Sequence, residues 1–112
     1  MTDVALVRSR TGAFRSCKAE GHSGFAAEGS DIVCAAVTSV LRTALQVLSE
    51  TAGVIVTADT ASRGNLAFSV EVKKAEPETE LRLVCAADFI SDGIRLIAAE
   101  YPEHVKLREQ KE

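Results

Sequence analysis

The sequence contains no tryptophan, and aromatic residues make up only 4% of its 112 positions. Its core must therefore be filled by Val, Leu, Ile and Ala, which bury area through number rather than through large rings. Proline is scarce as well, with 2 residues, so few points along the chain break a helix or strand outright. Cys17, Cys34 and Cys85 stand singly, with no Cys-x-x-Cys pair. An odd, scattered set argues against a disulfide framework and fits reduced thiols. Clusters of His and Cys at ligand spacing are missing, so neither a metal nor another cofactor is expected. Nor is there an excess of positive charge: the formal net charge is −3, which gives no general pull toward RNA, DNA or an anionic membrane. The start, Met1 to Val7, lacks the basic residues and long apolar run of a signal peptide, and no stretch is expected to approach the length of a membrane span. The expected location is the cytoplasm. Repeats, low-complexity tracts and phosphate-loop motifs are absent too.

What is present is one long helical signal among several short strands. A chain of this length makes one domain, residues 1–112, burying about two thirds of its unfolded surface. Val4 to Arg8 and Phe14 to Glu20 read as two strands joined by the turn residues Arg10, Thr11 and Gly12. From about Asp31 to Glu50, Val33, Ala36, Val37, Val40, Leu41, Ala44, Val47 and Leu48 follow helical spacing, with Ser30 or Asp31 as cap. Val54 to Ala58 and Leu66 to Lys73 read as strands around a loop from Asp59 to Asn65. Pro77 opens a second helix whose stripe is Leu83, Ala87, Ile90, Ile94, Ile97 and Tyr101, and Pro102 stops it. Within it Gly93 costs about 1 kcal/mol relative to alanine, which a close approach by a neighbouring element would explain. Cys85, on this helix, is expected in the core, and Cys17 is read as structural or exposed filler. A short strand at Val105 to Arg108 and a charged tail from Glu109 finish the chain, with His104 expected at the surface. The fold class is α/β of the α+β type: a mixed sheet of about five strands with two helices packed on one face.

The chemistry concentrates in residues 21 to 36, Gly-His-Ser-Gly-Phe-Ala-Ala-Glu-Gly-Ser-Asp-Ile-Val-Cys-Ala-Ala. A cysteine in the first helical turn lies among unpaired backbone N–H groups at the positive end of the helix dipole, and both favour thiolate over thiol. His22 is the histidine nearby in sequence, able to take a thiol proton and return one to a leaving amine. The spacing permits that pair without requiring it, because a small apolar sulfur in a core helix is the plainer reading of Cys34. Thr38, four residues on, shares a helix face with Cys34 and is a candidate for lining a site; its plainer reading is a threonine bonding back to a carbonyl one turn earlier. Asp31 has two possible roles, helix cap or orienter of His22, and the cap is the favoured one.

Taken together, Gly21-His22, the glycines at 24 and 29, and Asp31-Ile32-Val33-Cys34-Ala35-Ala36 resemble the ribosomal-processing cysteine proteases of bacteria. Ser23 stands where alanine usually follows the histidine, and Thr38 where a serine usually lies. The resemblance implies a cysteine endopeptidase that removes a short N-terminal extension from the twenty-seventh protein of the large ribosomal subunit. It implies His22 and Cys34 as the catalytic pair, and a homodimer. Ser23, Gly24, Phe25 and Gly29 would then belong to a mobile loop at about 22–31 that meets the substrate, with Phe25 near the apolar residues that precede the cut. Backbone N–H groups at the helix start would bind the oxyanion. A non-catalytic ribosome assembly or binding factor is the alternative, and a thiol redox protein a weaker one, because no resolving cysteine lies near Cys34 in sequence.

Overall fold

The computed structural model describes residues 1–27, 31–60 and 64–112. Its elements in chain order are β1 (Thr2–Arg8), β2 (Phe14–Glu20), α1 (Ile32–Ser49), β3 (Val54–Asp59), β4 (Asn65–Val72), α2 (Pro77–Glu100) and β5 (Val105–Lys111). The five strands form one mixed sheet in the order β3-β4-β2-β1-β5, in which β1 and β5 run parallel and every other neighbouring pair is antiparallel.

Period-two alternation decides which face of the sheet is covered. Val4 and Leu6 of β1 pair with Ala19 and Cys17 of β2, Cys17 pairs in turn with Phe68 of β4, and all five are buried. Phe14 stacks on Phe68 with centroids 5.4 Å apart. Onto this layer α1 contributes Val33, Val37, Leu41, Ala44 and Leu48, and α2 contributes Leu83, Ala86, Ala87, Ile90 and Ile94. Burying one such leucine or isoleucine contributes about 2 kcal/mol, so these two stripes hold the helices on the sheet. The opposite face carries Ala5, Val7, Lys18, Ala67 and Ser69 and is left open.

The helices pack against each other where Gly93 of α2 meets Val40 of α1. A Cβ at position 93 would lie 2.9 Å from Val40 Cγ1, which is the close approach expected from the sequence. Over its 18 residues α1 has a mean hydropathy of 1.6, so by length and composition it matches a short membrane span, contrary to expectation. Five of its apolar positions lie in the core, as they would in the central helix of a globule.

Two cysteine placements differ from or sharpen the reading. Cys85 is exposed, not in the core: it lies two residues from Leu83, about 200° around the helix from the buried stripe. Cys17 is a core residue at 2% exposure, and burial pushes its thiol up to about 12. The last strand is also longer than its sequence suggested. β5 continues to Lys111, pairing Glu109, Gln110 and Lys111 with Leu6, Val7 and Arg8. Glu109 falls on the helix side, where it bonds Ser91 and pairs with Arg8 and Arg95. Burial alone would raise its carboxyl, but the bonds from Arg95 and Ser91 and the charges of Arg95 and Arg8 hold it below the usual range.

Candidate active site

Asp31 begins α1 as its cap. With an extended backbone at φ −84° and ψ 100°, it turns one carboxylate oxygen toward the helix, and Oδ1 accepts from Val33 N at 3.0 Å and Cys34 N at 2.9 Å. The other oxygen reaches back into the preceding loop. Oδ2 accepts from the Ser23 hydroxyl, from Phe25 N at 3.2 Å and from Ala26 N at 3.4 Å. Asp31 is only 8% exposed. Burial would raise its carboxyl, but the bonds from Ser23 and from the Cys34, Ala26 and Val33 amides outweigh it and hold the group far below the usual carboxylate range. Among the described residues Asp31 shares no hydrogen bond or ion pair with His22, and its bonds are those of a cap that also anchors the loop. The same bonds bear on the expected oxyanion donors: the Val33 and Cys34 N–H groups are already taken by this carboxylate.

Cys34 therefore sits in the first turn, half-buried, and its Sγ accepts from the backbone N–H of Ser23 at 3.2 Å. Ser23 is buried at 1% exposure, and its hydroxyl both donates to Asp31 and accepts from Phe25 N at 3.2 Å. Ser23 thus ties the loop to the cap.

His22 follows Gly21 at the end of β2 and is exposed. Gly21 donates its N–H to Gly64 O at 2.8 Å, and the Thr2 hydroxyl donates to Gly21 O at 3.3 Å, which fixes the chain just before the imidazole. The ring lies over Gly64, where a Cβ would come within 2.9 Å of Nε2 and where φ is +78°, a value that glycine adopts without strain. His22 and Cys34 line one cavity of about 310 Å³, together with Thr38, Arg42, Gly64 and Asn65. The two share no hydrogen bond among the described residues. Thr38 is exposed on the cavity wall one turn after Cys34. Gly29 and Ser30, expected as loop residue and alternative cap, lie outside the described residues, as do residues 61–63 of the loop expected from Asp59 to Asn65.

His104 was expected at the surface, and the structure corrects this. It is half-buried in the turn before β5, where its Nδ1 lies 2.8 Å from Ser23 O. The Phe25 ring packs edge-on against both Tyr101 and His104, at centroid distances of 5.3 and 5.6 Å. The signal for this contact is absent from the local sequence because the partners are 81 residues apart.

The family model described as cysteine protease Prp matches residues 1–106. Among solved structures, the chain is similar to the essential ribosomal processing protease Prp from S. aureus in complex with a covalently linked product peptide, with a TM-score of 0.77 at 20% identity over 98% of this chain and 100% of that one. The SMU.848 protein from Streptococcus mutans gives a TM-score of 0.75 at 22% identity over 100% and 96%. At these identities the likenesses establish the fold. Comparison with curated proteins finds no match. With the family model spanning all but the last six residues, the chain belongs to the cysteine protease Prp family.

Proposed function

We propose that this protein removes the short N-terminal extension of the twenty-seventh protein of the large ribosomal subunit, with Cys34 as nucleophile and His22 as its acid and base. The observation that carries this reading is that the two side chains, from separate elements, line one cavity while Cys34 lies in the first turn of a capped helix. Cys34 Sγ attacks the scissile carbonyl as His22 takes its proton. His22 then returns the proton to the amine as the C–N bond breaks, leaving a thioester that water hydrolyses. Thr38 and Arg42 border the path of the substrate along α1. The similar S. aureus protein, a ribosomal processing protease, carries a covalently linked product peptide, which supports the same reaction class.

The enzyme acts in the cytoplasm without metal, cofactor or direct nucleic-acid contact, as a homodimer that uses the open face of the sheet around Ala5, Val7, Ala67 and Ser69. A quenched fluorescent peptide spanning the end of the extension tests the chemistry. Cys34→Ala and His22→Ala each abolish cleavage, and Cys34→Ala still binds the peptide. Binding by both variants together with undiminished processing in cells that carry Cys34→Ala would instead favour the non-catalytic assembly factor.

A further inference from the structure

His104 is linked to the sulfur of Cys34 through a single residue. Ser23 O can only accept a hydrogen bond, so the 2.8 Å contact places a proton on His104 Nδ1. The other polar groups of Ser23 are engaged as well, its hydroxyl with Asp31 and its N–H with Cys34 Sγ at 3.2 Å. Ser23 is therefore held from three directions: from α1 through Asp31, from the turn after α2 through His104, and by the sulfur itself. Because Asp31 takes up the Val33 and Cys34 amides, the Ser23 amide is the donor that points at the sulfur. Loosening any anchor of Ser23 lets this N–H swing away, and the His104 anchor comes from the turn before β5, remote in sequence from both expected catalytic residues. Phe25, packed on His104 and Tyr101, keeps the imidazole covered where it meets Ser23.

From this geometry we infer that His104 is a positioning residue for the cysteine protease reaction: by holding Ser23 O it aims the Ser23 N–H at Cys34 Sγ. The inference rests on Cys34 being the nucleophile. His104 does not touch the reacting atoms and its role requires a donor at one place, not an acid or base. Asparagine meets that requirement, since Asn Nδ2 and His Nδ1 are both attached to Cγ and occupy equivalent positions. Phenylalanine keeps a ring against Phe25 and Tyr101 but offers no donor.

The test compares His104→Phe and His104→Asn with the unmodified protein in two assays: kcat and KM on the extension peptide, and the rate at which iodoacetamide alkylates Cys34, resolved from Cys17 and Cys85 by peptide mass spectrometry. For the loss of one hydrogen bond to the reacting sulfur, His104→Phe is expected to lower kcat and Cys34 alkylation about tenfold while KM stays within about twofold. His104→Asn is expected to retain both rates to within about threefold. Undiminished or increased rates in His104→Phe would overturn the inference, and so would an Asn variant as impaired as the Phe variant, because loss of packing alone would then explain the effect. The alkylation assay does not depend on peptide cleavage. Should Cys34→Ala still cleave, the proposed function fails on its own while the alkylation ratios still report on His104.

Discussion

The Asp31 carboxylate holds both the start of α1 and the loop before it, so its charge matters in two places. Replacing it with alanine removes the cap and leaves the buried Ser23 hydroxyl without its acceptor, a loss of about 2 kcal/mol in urea unfolding at pH 7. Asparagine separates the two roles: its oxygen can still cap Val33 and Cys34, but its NH2 group would face the donors of the loop. Because the folded-state group titrates well below the unfolded value near 3.9, its contribution is complete above about pH 4 and is lost as the pH falls through the folded value. The gap between the unmodified protein and Asp31→Ala should therefore narrow below about pH 4, and a gap constant down to pH 2 would contradict this account. Thiol chemistry separates the cysteines in the same way. Cys17, buried with its thiol pushed up to about 12, stays unmodified by iodoacetamide at pH 8, whereas exposed Cys85 reacts.

Among the elements, the α1–α2 contact gives the sharpest stability test. Alanine at Gly93 gains about 1 kcal/mol of helix propensity, but its Cβ would stand 2.9 Å from the stiff, branched Val40 side chain. Overpacking of this kind costs about 1–3 kcal/mol, so Gly93→Ala should unfold at lower urea, and adding Val40→Ala should recover most of the difference. Stabilisation by Gly93→Ala alone would mean that the helices lie farther apart. The helical stripes were legible because 3.6-residue periodicity shows directly in Val33, Val37, Leu41, Ala44 and Leu48 and in Leu83, Ala87, Ile90 and Ile94. The hairpin of β1 and β2 was legible for the corresponding reason. The extension of β5 to Lys111 was hidden because its polar run pairs through the backbone with β1, and because Glu109 occupies an inward position by meeting Arg8, Arg95 and Ser91 instead of an apolar neighbour. The exposure of Cys85 follows from its angle on the helix, off the stripe of Leu83 and Ala87, and not from the usual burial of cysteine.

At the scale of the whole molecule, the cavity draws on the end of β2, the start of α1 and the loop before β4, and the turn before β5 buttresses it through Ser23. The sequence revealed only the first two contributors, because the spacing of His22 and Cys34 lies within one short segment, whereas Gly64 and His104 reach the site through tertiary contacts. Gly64 has a consequence of its own. Alanine there would intrude on the His22 ring and force a strained φ, so Gly64→Ala should lower kcat on the extension peptide about tenfold or more while the chain stays folded by circular dichroism. If both expected residues act in this one cavity, a single full-length substrate should register it. The most direct measurement is intact-mass spectrometry of the organism's own extended ribosomal protein after incubation with this protein and with its Cys34→Ala variant. The account predicts one cut at the end of the extension with the unmodified protein and none with the variant. Cleavage that survives in Cys34→Ala, or no cleavage by either form while both bind the substrate, would contradict it.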